Sequence, residues 1–301
     1  MERLKLLPEI AVILLFAAVS FFSLLVAYVY GATAGIQQST SNTTNLLYVI
    51  LIIAVTLVMT GAILYFSQKR GIRLIRGIFI IVSIYATFIV SYAVAALVVS
   101  VIPMGELAAL PVFLIIWFTI PGYLGFMALT SKSFIIGNII GVMLSAGFAA
   151  VWGLTLDVWF TVGLLIIFAC YDYIAVYKTK HMIKLADLAT SSSLNMLFVI
   201  PASRGFDPSA KFKENRGEGT EPEGEKGILL GFGDVALPNV MIISSTIYGN
   251  YQLFPFFYLP LLGAVGGILV LMFFTKRPAP GLPLLNAGVI IGFLLALFVP
   301  W

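Results

Sequence analysis

Two aspartates lie inside long apolar stretches of this sequence. Asp172 belongs to the segment IFACYDYIAVY, and Asp234 belongs to LLGFGDVALPNV. An ionisable side chain inside a membrane span costs about 2.5 to 3.5 kcal/mol on insertion scales, so such residues are rare and usually functional. Two carboxylates that face each other at low dielectric cannot easily both ionise, so one holds a proton while the other stays charged. Such a pair can serve as general acid and general base toward a water and a peptide carbonyl.

Glycines and a proline surround Asp234. Gly231 and Gly233 remove side chains beside the acid, so a partner helix, a water or a substrate backbone can approach closely. Pro238 cannot donate a backbone hydrogen bond, and we expect it to bend the helix near the acid. The stretch is therefore typical of a site to which water and a peptide have access.

A third feature is the segment KRPAPGLPLLN, residues 276–286. Its prolines and glycine prevent a regular helix until about Pro283. Irregular backbone at membrane depth is tolerated only beside protein or a wet cavity, and it leaves polar groups free to hold an extended peptide. Pro280, Gly281, Leu282 and Pro283 are the candidate substrate-positioning residues.

The composition indicates a membrane protein. Of 301 residues, 61% are hydrophobic and 10% are charged. Apolar runs near the roughly 20 residues that cross a bilayer as a helix recur along the whole chain. We predict nine transmembrane helices, at roughly 9–30, 46–66, 78–102, 109–129, 133–154, 158–178, 227–249, 255–275 and 280–301. The fold class is therefore an all-α membrane protein.

The basic residues predict the orientation of these spans. All 17 Lys and Arg residues fall at the N-terminus or in alternate loops of the nine-span chain. Because Lys and Arg collect in cytoplasmic loops, the N-terminus is expected in the cytoplasm and the C-terminus outside. Asp172 then lies about six residues, or ~9 Å, and Asp234 about seven residues, or ~10 Å, from the cytoplasmic surface. If spans six and seven pack together, the two acids can face each other.

The chain is expected to form one polytopic domain over residues 1–301. Helices one to six occupy about 9–178, a cytoplasmic segment about 179–226, and helices seven to nine about 227–301. Within the cytoplasmic segment, residues 181–198 extend helix six or lie along the membrane surface, and residues 207–226 have the composition of a mobile loop. Three pairs of glycines spaced four residues apart (Gly137 and Gly141, Gly263 and Gly267, Gly288 and Gly292) predict close helix packing.

The sequence lacks the residues that other intramembrane chemistries require. The chain has a single cysteine, Cys170, and a single histidine, His181, which lies in the cytoplasmic segment. An internal disulfide, a cysteine metal site, a zinc-protease motif and a Ser–His pair within a span are therefore excluded. We predict no metal and no cofactor. The net charge of +4 is interpreted as a topology signal, so no nucleic acid is expected as a partner.

The three elements together resemble the presenilin and signal peptide peptidase family of intramembrane aspartyl proteases. Tyr171-Asp172 matches its Tyr-Asp motif, residues 231–234 match Gly-x-Gly-Asp, and residues 280–283 match Pro-Ala-Leu-Pro except for Gly281 in place of Ala. The resemblance implies that Asp172 and Asp234 are catalytic and that Tyr171, Gly231, Phe232 and Gly233 frame the active site. The predicted orientation resembles the presenilin branch, and a microbial, archaeal homologue is the closest match.

The resemblance also implies the setting and the partners. The substrate is a transmembrane helix that unwinds locally before its peptide bond reaches the two aspartates. The protein is expected in the plasma membrane of a prokaryote, without obligatory partner subunits, and homo-oligomerisation stays open. The alternative is a transporter or channel in which the same paired aspartates carry a proton or bind a cation. Inverted repeats would favour that alternative, and none is clear in the sequence.

Overall fold

The computed structural model describes residues 7–34, 38–68, 72–103, 105–131, 133–175, 197–201, 227–274 and 281–300. Within these ranges the chain forms nine helices and one two-stranded sheet. The helices are α1 (Leu7–Ala34), α2 (Asn42–Gln68), α3 (Ile72–Val101), α4 (Glu106–Thr130), α5 (Phe134–Thr155), α6 (Val158–Ile174), α7 (Phe232–Tyr248), α8 (Tyr258–Phe274) and α9 (Gly281–Phe298). The strands are β1 (Leu197–Pro201) and β2 (Gly227–Gly231).

The exterior of the helices is apolar, as a bilayer requires. Leu107 is 96% exposed and Phe298 is 85% exposed, and many other large apolar side chains also face outward. In α1, α3, α4, α5 and α9 the apolar stretch is long enough to cross a membrane, and shorter apolar helices occupy 42–58, 158–174 and 258–273. The prediction of a helical membrane protein is confirmed. The nine spans and their orientation stay predictions.

Helix α7 lies at the centre of the bundle. Its residues from Val235 to Thr246 are buried, and it packs against α1, α5, α6 and α9. Small residues allow this close packing: a methyl group on Gly153 of α5 would lie 2.7 Å from Cβ of Ile243 in α7. Helices α6 and α7 are therefore neighbours, as the sequence suggested for the two helices that carry the aspartates.

Helices α8 and α9 form a glycine-lined hairpin. A methyl group on Gly263 would overlap the backbone of Gly288, and one on Gly292 would overlap the backbone of Leu259. One on Gly267 would lie 2.6 Å from the carbonyl oxygen of Leu284. The packing role predicted for these glycines agrees with the structure, because absent side chains let the two backbones touch.

The predicted start of span seven at residue 227 is wrong. Residues 227–231 form β2, which pairs antiparallel with β1 so that Val199 lies opposite Leu229, and α7 begins at Phe232. Gly231 has φ −65° and ψ 142°, an extended conformation that ends the strand and caps the helix. Of the segment 181–198, the structure describes residues 197 and 198, and both belong to β1. The helical interpretation is wrong for these two residues, and the remainder lies outside the described residues.

The starts of two other helices differ from the prediction. Helix α9 begins at Gly281, before Pro283, because a proline in the first turn of a helix loses no intrahelical hydrogen bond. Helix α8 begins at Tyr258 rather than near 255, after a turn at 254–257. In α6 the α-helix is described from Val158 to Ile174, and the predicted end of span six at residue 178 lies outside the described residues. Pro280 and the predicted mobile loop at 207–226 lie outside the described residues.

Candidate active site

Helix α6 positions Asp172 near its C-terminal end. The helix begins at the N-cap Asp157, whose Oδ1 accepts a hydrogen bond from the backbone N–H of Trp159 at 2.9 Å. Asp172 lies four turns further along and is only 2% exposed. Its Oδ2 accepts a hydrogen bond from the backbone N–H of Leu282 at 3.3 Å. A buried carboxylate needs such a partner, because an unpaired charge at low dielectric is costly.

Helix α7 positions Asp234 in its first turn, rather than about seven residues inside a helix as predicted. The side chain is half-buried, and its carboxylate accepts a hydrogen bond from the backbone N–H of the N-cap Gly231. An acid three residues after the N-cap often reaches back to that N–H, and the helix dipole favours its charge there. The start of α7 thus fixes the orientation of the Asp234 side chain.

Pro238 removes one backbone hydrogen bond of α7 beside Asp234. Helix α7 continues through Pro238, but a proline has no N–H to donate to the carbonyl four residues earlier. That carbonyl belongs to Asp234. The backbone oxygen of the acid therefore lacks its helical hydrogen bond, which leaves it able to bind a water or another donor.

Both carboxylates lie at the N-terminus of α9. Asp172 accepts a hydrogen bond from the N–H of Leu282. A methyl group on Gly281 would lie 3.6 Å from Oδ2 of Asp234. The Cα of Gly281 and the N of Leu282 are parts of one peptide unit, so both acids lie beside the same peptide unit. The structure brings together the three sequence motifs that carry Asp172, Asp234 and Gly281.

The two glycines around Asp234 have different surroundings. A methyl group on Gly231 would lie 3.1 Å from Oδ2 of Asp234, which is tighter than ordinary packing. A methyl group on Gly233 would meet no atom within 4 Å. The absence of a side chain on Gly231 therefore leaves space for the Asp234 carboxylate. Gly233 instead faces open space on the exposed side of the helix start. At Gly281 an alanine would fit in ordinary van der Waals contact.

Phe232 anchors the start of α7 in the core. Its ring packs edge-on against Phe198 of β1, with centroids 4.5 Å apart, and stacks on Phe79 of α3 at 6.0 Å. A side chain on Gly141 of α5 would overlap this ring, and the hydroxyl of Ser145 donates to the Phe232 carbonyl at 3.3 Å. The ring therefore fixes the helix start to α3, α5 and β1.

An apolar cluster surrounds the Asp172 side of the site. Leu282, Leu237 and Phe168 form part of its buried core, and the partly buried Tyr171 packs against it. Pro283 is also partly buried. These contacts hold the ends of α6 and α9 together around the acid.

Several supporting residues were missed in the sequence. Asn286 of α9 donates from Nδ2 to the carbonyl oxygen of Leu165 in α6 at 2.9 Å, and it is 1% exposed. This bond holds α9 against α6 one turn beyond Leu282. Asn138, Ser145 and Asn286 were visible as polar residues inside apolar spans, which was a usable signal. The run of apolar and β-branched residues at 197–201 was the signal for β1.

The family model described as signal-peptide peptidase, presenilin aspartyl protease matches residues 11–300. Two solved structures, each described as a presenilin family intramembrane aspartate protease, are 22% and 23% identical to this chain, with TM-scores of 0.59 and 0.60. Each comparison covers 97% of this chain and 98% of the other. None of the curated proteins compared with the chain matches it. Because the family model matches almost the whole chain, the protein belongs to the signal-peptide peptidase and presenilin family of aspartyl proteases.

Proposed function

We propose that Asp172 and Asp234 hydrolyse peptide bonds within or next to transmembrane helices of substrate proteins. The observation that carries this proposal is their convergence on the Gly281–Leu282 peptide unit. Membership of an aspartyl protease family supplies the reaction class. The alternative of a proton- or cation-coupled transporter has no comparable support from the site.

The chemistry requires one proton shared between the two acids. The ionised carboxylate takes a proton from a water as the water oxygen attacks the peptide carbonyl carbon. The protonated carboxyl donates to the carbonyl oxygen, which stabilises the tetrahedral intermediate. The carboxyl that took the water proton then passes it to the leaving nitrogen as the C–N bond breaks. The hydroxyl formed from the carbonyl oxygen returns its proton to the other carboxylate as the new carboxyl product forms, so the pair regains its starting state. Gly233, with open space beside it, supports access for the water and the peptide.

The sheet beside Asp234 supports a binding mode for the unwound substrate. Strand β2 ends at Gly231, the N-cap of the helix that carries Asp234. An extended peptide that added to the outer edge of β2 would satisfy its backbone groups by main-chain hydrogen bonds. Such a peptide would run directly toward the carboxylate. The Gly281–Pro283 segment would contact the peptide from the other side of the acids.

The setting follows from the same proposal. We place the chain in the plasma membrane of a prokaryote, with the N-terminus in the cytoplasm, as one polytopic unit over residues 1–301. We expect cleavage without partner subunits, and a homo-oligomer is compatible with the proposal. The lipid-facing apolar exterior supports the membrane location.

The test is cleavage of a transmembrane peptide by purified protein in proteoliposomes. Asp172→Asn and Asp234→Asn should each lower the rate by about 1000-fold or more, because each removes one half of the acid and base pair. Asp157→Asn is the matched control: it makes the same change at the other end of α6, and asparagine is an equally good N-cap. Wild-type cleavage by Asp234→Asn would contradict the proposal. Ion flux that occurs without cleavage and disappears in Asp172→Asn would instead indicate the transporter.

A further inference from the structure

Asn138 of α5 closes the outer edge of β1. Its Nδ2 donates to the carbonyl oxygen of Val199 at 2.9 Å, and its Oδ1 accepts from the backbone N–H of Val199 at 2.9 Å. One amide side chain thus makes both bonds that a neighbouring strand would make to this residue. Asn138 stands where a third strand would lie.

These bonds reveal the direction in which the backbone groups of the sheet point. In an antiparallel pair, opposite residues alternate between bonding each other and pointing away from each other. Val199 lies opposite Leu229, and the Val199 backbone bonds to Asn138 instead. Pro201 lies two residues further and points its backbone groups to the same side as Val199, away from β2. It has no N–H, so no ladder bond to β2 is lost there. The ladder bonds therefore join Phe198 to Leu230 and Ile200 to Ile228.

It follows that the N–H and C=O of Leu229 point away from β1, toward the other edge of the sheet. Leu229 is two residues before Gly231, or about 7 Å along a strand. The N–H of Gly231, which points to the same side, bonds the carboxylate of Asp234. In the described part of the chain, no side chain or backbone group forms a hydrogen bond to Leu229 from that side. Among the residues that the structure describes, the edge that leads to Asp234 is therefore open.

We propose that Asn138 is a positioning residue that fixes the hydrogen-bonding phase of the sheet and closes its β1 edge, so that the β2 edge beside Asp234 receives the substrate. A two-stranded sheet is marginally stable alone, and a slip of one residue would reverse the direction of every backbone group. The bonds to Val199 tie β1 to α5 and prevent this slip. Asn138 thereby selects which substrate bond reaches the acids. This proposal rests on the proposed function.

The experiment maps the cleavage products of a transmembrane peptide in proteoliposomes by mass spectrometry. Asn138→Leu keeps the number and branching of the side-chain heavy atoms and removes both bonds to Val199. We expect its main cut to shift by about one or two residues along the peptide, because the sheet loses its fixed phase. Asn138→Gln retains the amide and should restore part of the wild-type pattern. If Asn138→Leu cannot be recovered folded, Asn138→Asp, which loses the donor alone, is measured for the same shift.

Asn45 provides a matched control. It is 1% exposed and also makes two hydrogen bonds to the backbone. Its Nδ2 donates to the carbonyl oxygen of Ser39 at 2.7 Å, and its Oδ1 accepts from the backbone N–H of Asp157 at 3.1 Å. Asn45→Leu should lower stability and leave the cut positions unchanged. An unchanged product pattern in the folded Asn138 variants, with wild type active, would overturn the proposal for Asn138. Absence of cleavage by wild type would instead contradict the proposed function.

Discussion

Gly231→Ala should impair catalysis while leaving the fold intact. The added methyl group would lie 3.1 Å from Oδ2 and 3.5 Å from Cγ of Asp234. Because favourable contacts of carbon begin near 3.5 Å, the carboxylate must move by about 0.3 to 0.5 Å. A misplacement of about 1 Å can cost about 100-fold in rate, so we expect a loss of about fourfold to tenfold in kcat/KM.

The stability of this variant should change little. Gly231 has φ −65° and ψ 142°, a conformation that alanine adopts without strain. Alanine is a weaker N-cap than glycine, which costs less than about 1 kcal/mol. The assay compares kcat/KM for a transmembrane peptide and the melting temperature in the same detergent. Gly266→Ala in α8 is the control, because its methyl group would meet no atom within 4 Å. Wild-type kcat/KM for folded Gly231→Ala, or an equal loss in Gly266→Ala, would refute the steric reasoning.

Three further predictions follow from the same geometry. Gly281→Ala should cleave within about twofold of wild type, because its methyl group would meet Asp234 at an ordinary contact of 3.6 Å; a tenfold loss would contradict this. The kcat/KM should show a single maximum with pH, since the pair has no base when both acids are protonated and no acid when both are ionised; a rate that rises steadily to alkaline pH would exclude a shared proton. Phe232→Ala should lower the unfolding free energy in detergent by about 3 to 5 kcal/mol, as removal of a buried ring leaves a cavity; an unchanged melting temperature would disprove its anchoring role.

Much of the site could be predicted from the sequence because its signals are local. A carboxylate in an apolar run is costly wherever the run folds, so Asp172 and Asp234 stand out without coordinates. The segment at 280–283 stands out because proline and glycine restrict the backbone in any context. Glycines spaced four residues apart indicated helix contact, and the α8–α9 hairpin confirms it for Gly263 and Gly288.

The start of α7 could not be predicted from local signals. Residues 227–231 are as apolar as a helix end, and periodicity cannot separate a short buried strand from a helical turn. Residues 227–231 form a strand because they pair with β1, which lies far from them in the sequence. For the same reason, Asp234 was expected well inside a helix but lies in the first turn.

The sequence alone determined the membrane class, the pair of acids and the family resemblance, because composition and motif are properties of neighbouring residues. The tertiary structure decided how the pair is held. Leu282 donates to one acid while Gly231 makes room for the other, and Phe232 is fixed by side chains from three separate elements. Asn138 illustrates the difference most clearly: in the sequence it is one polar residue in a span, and its role exists only because folding places Val199 against its amide.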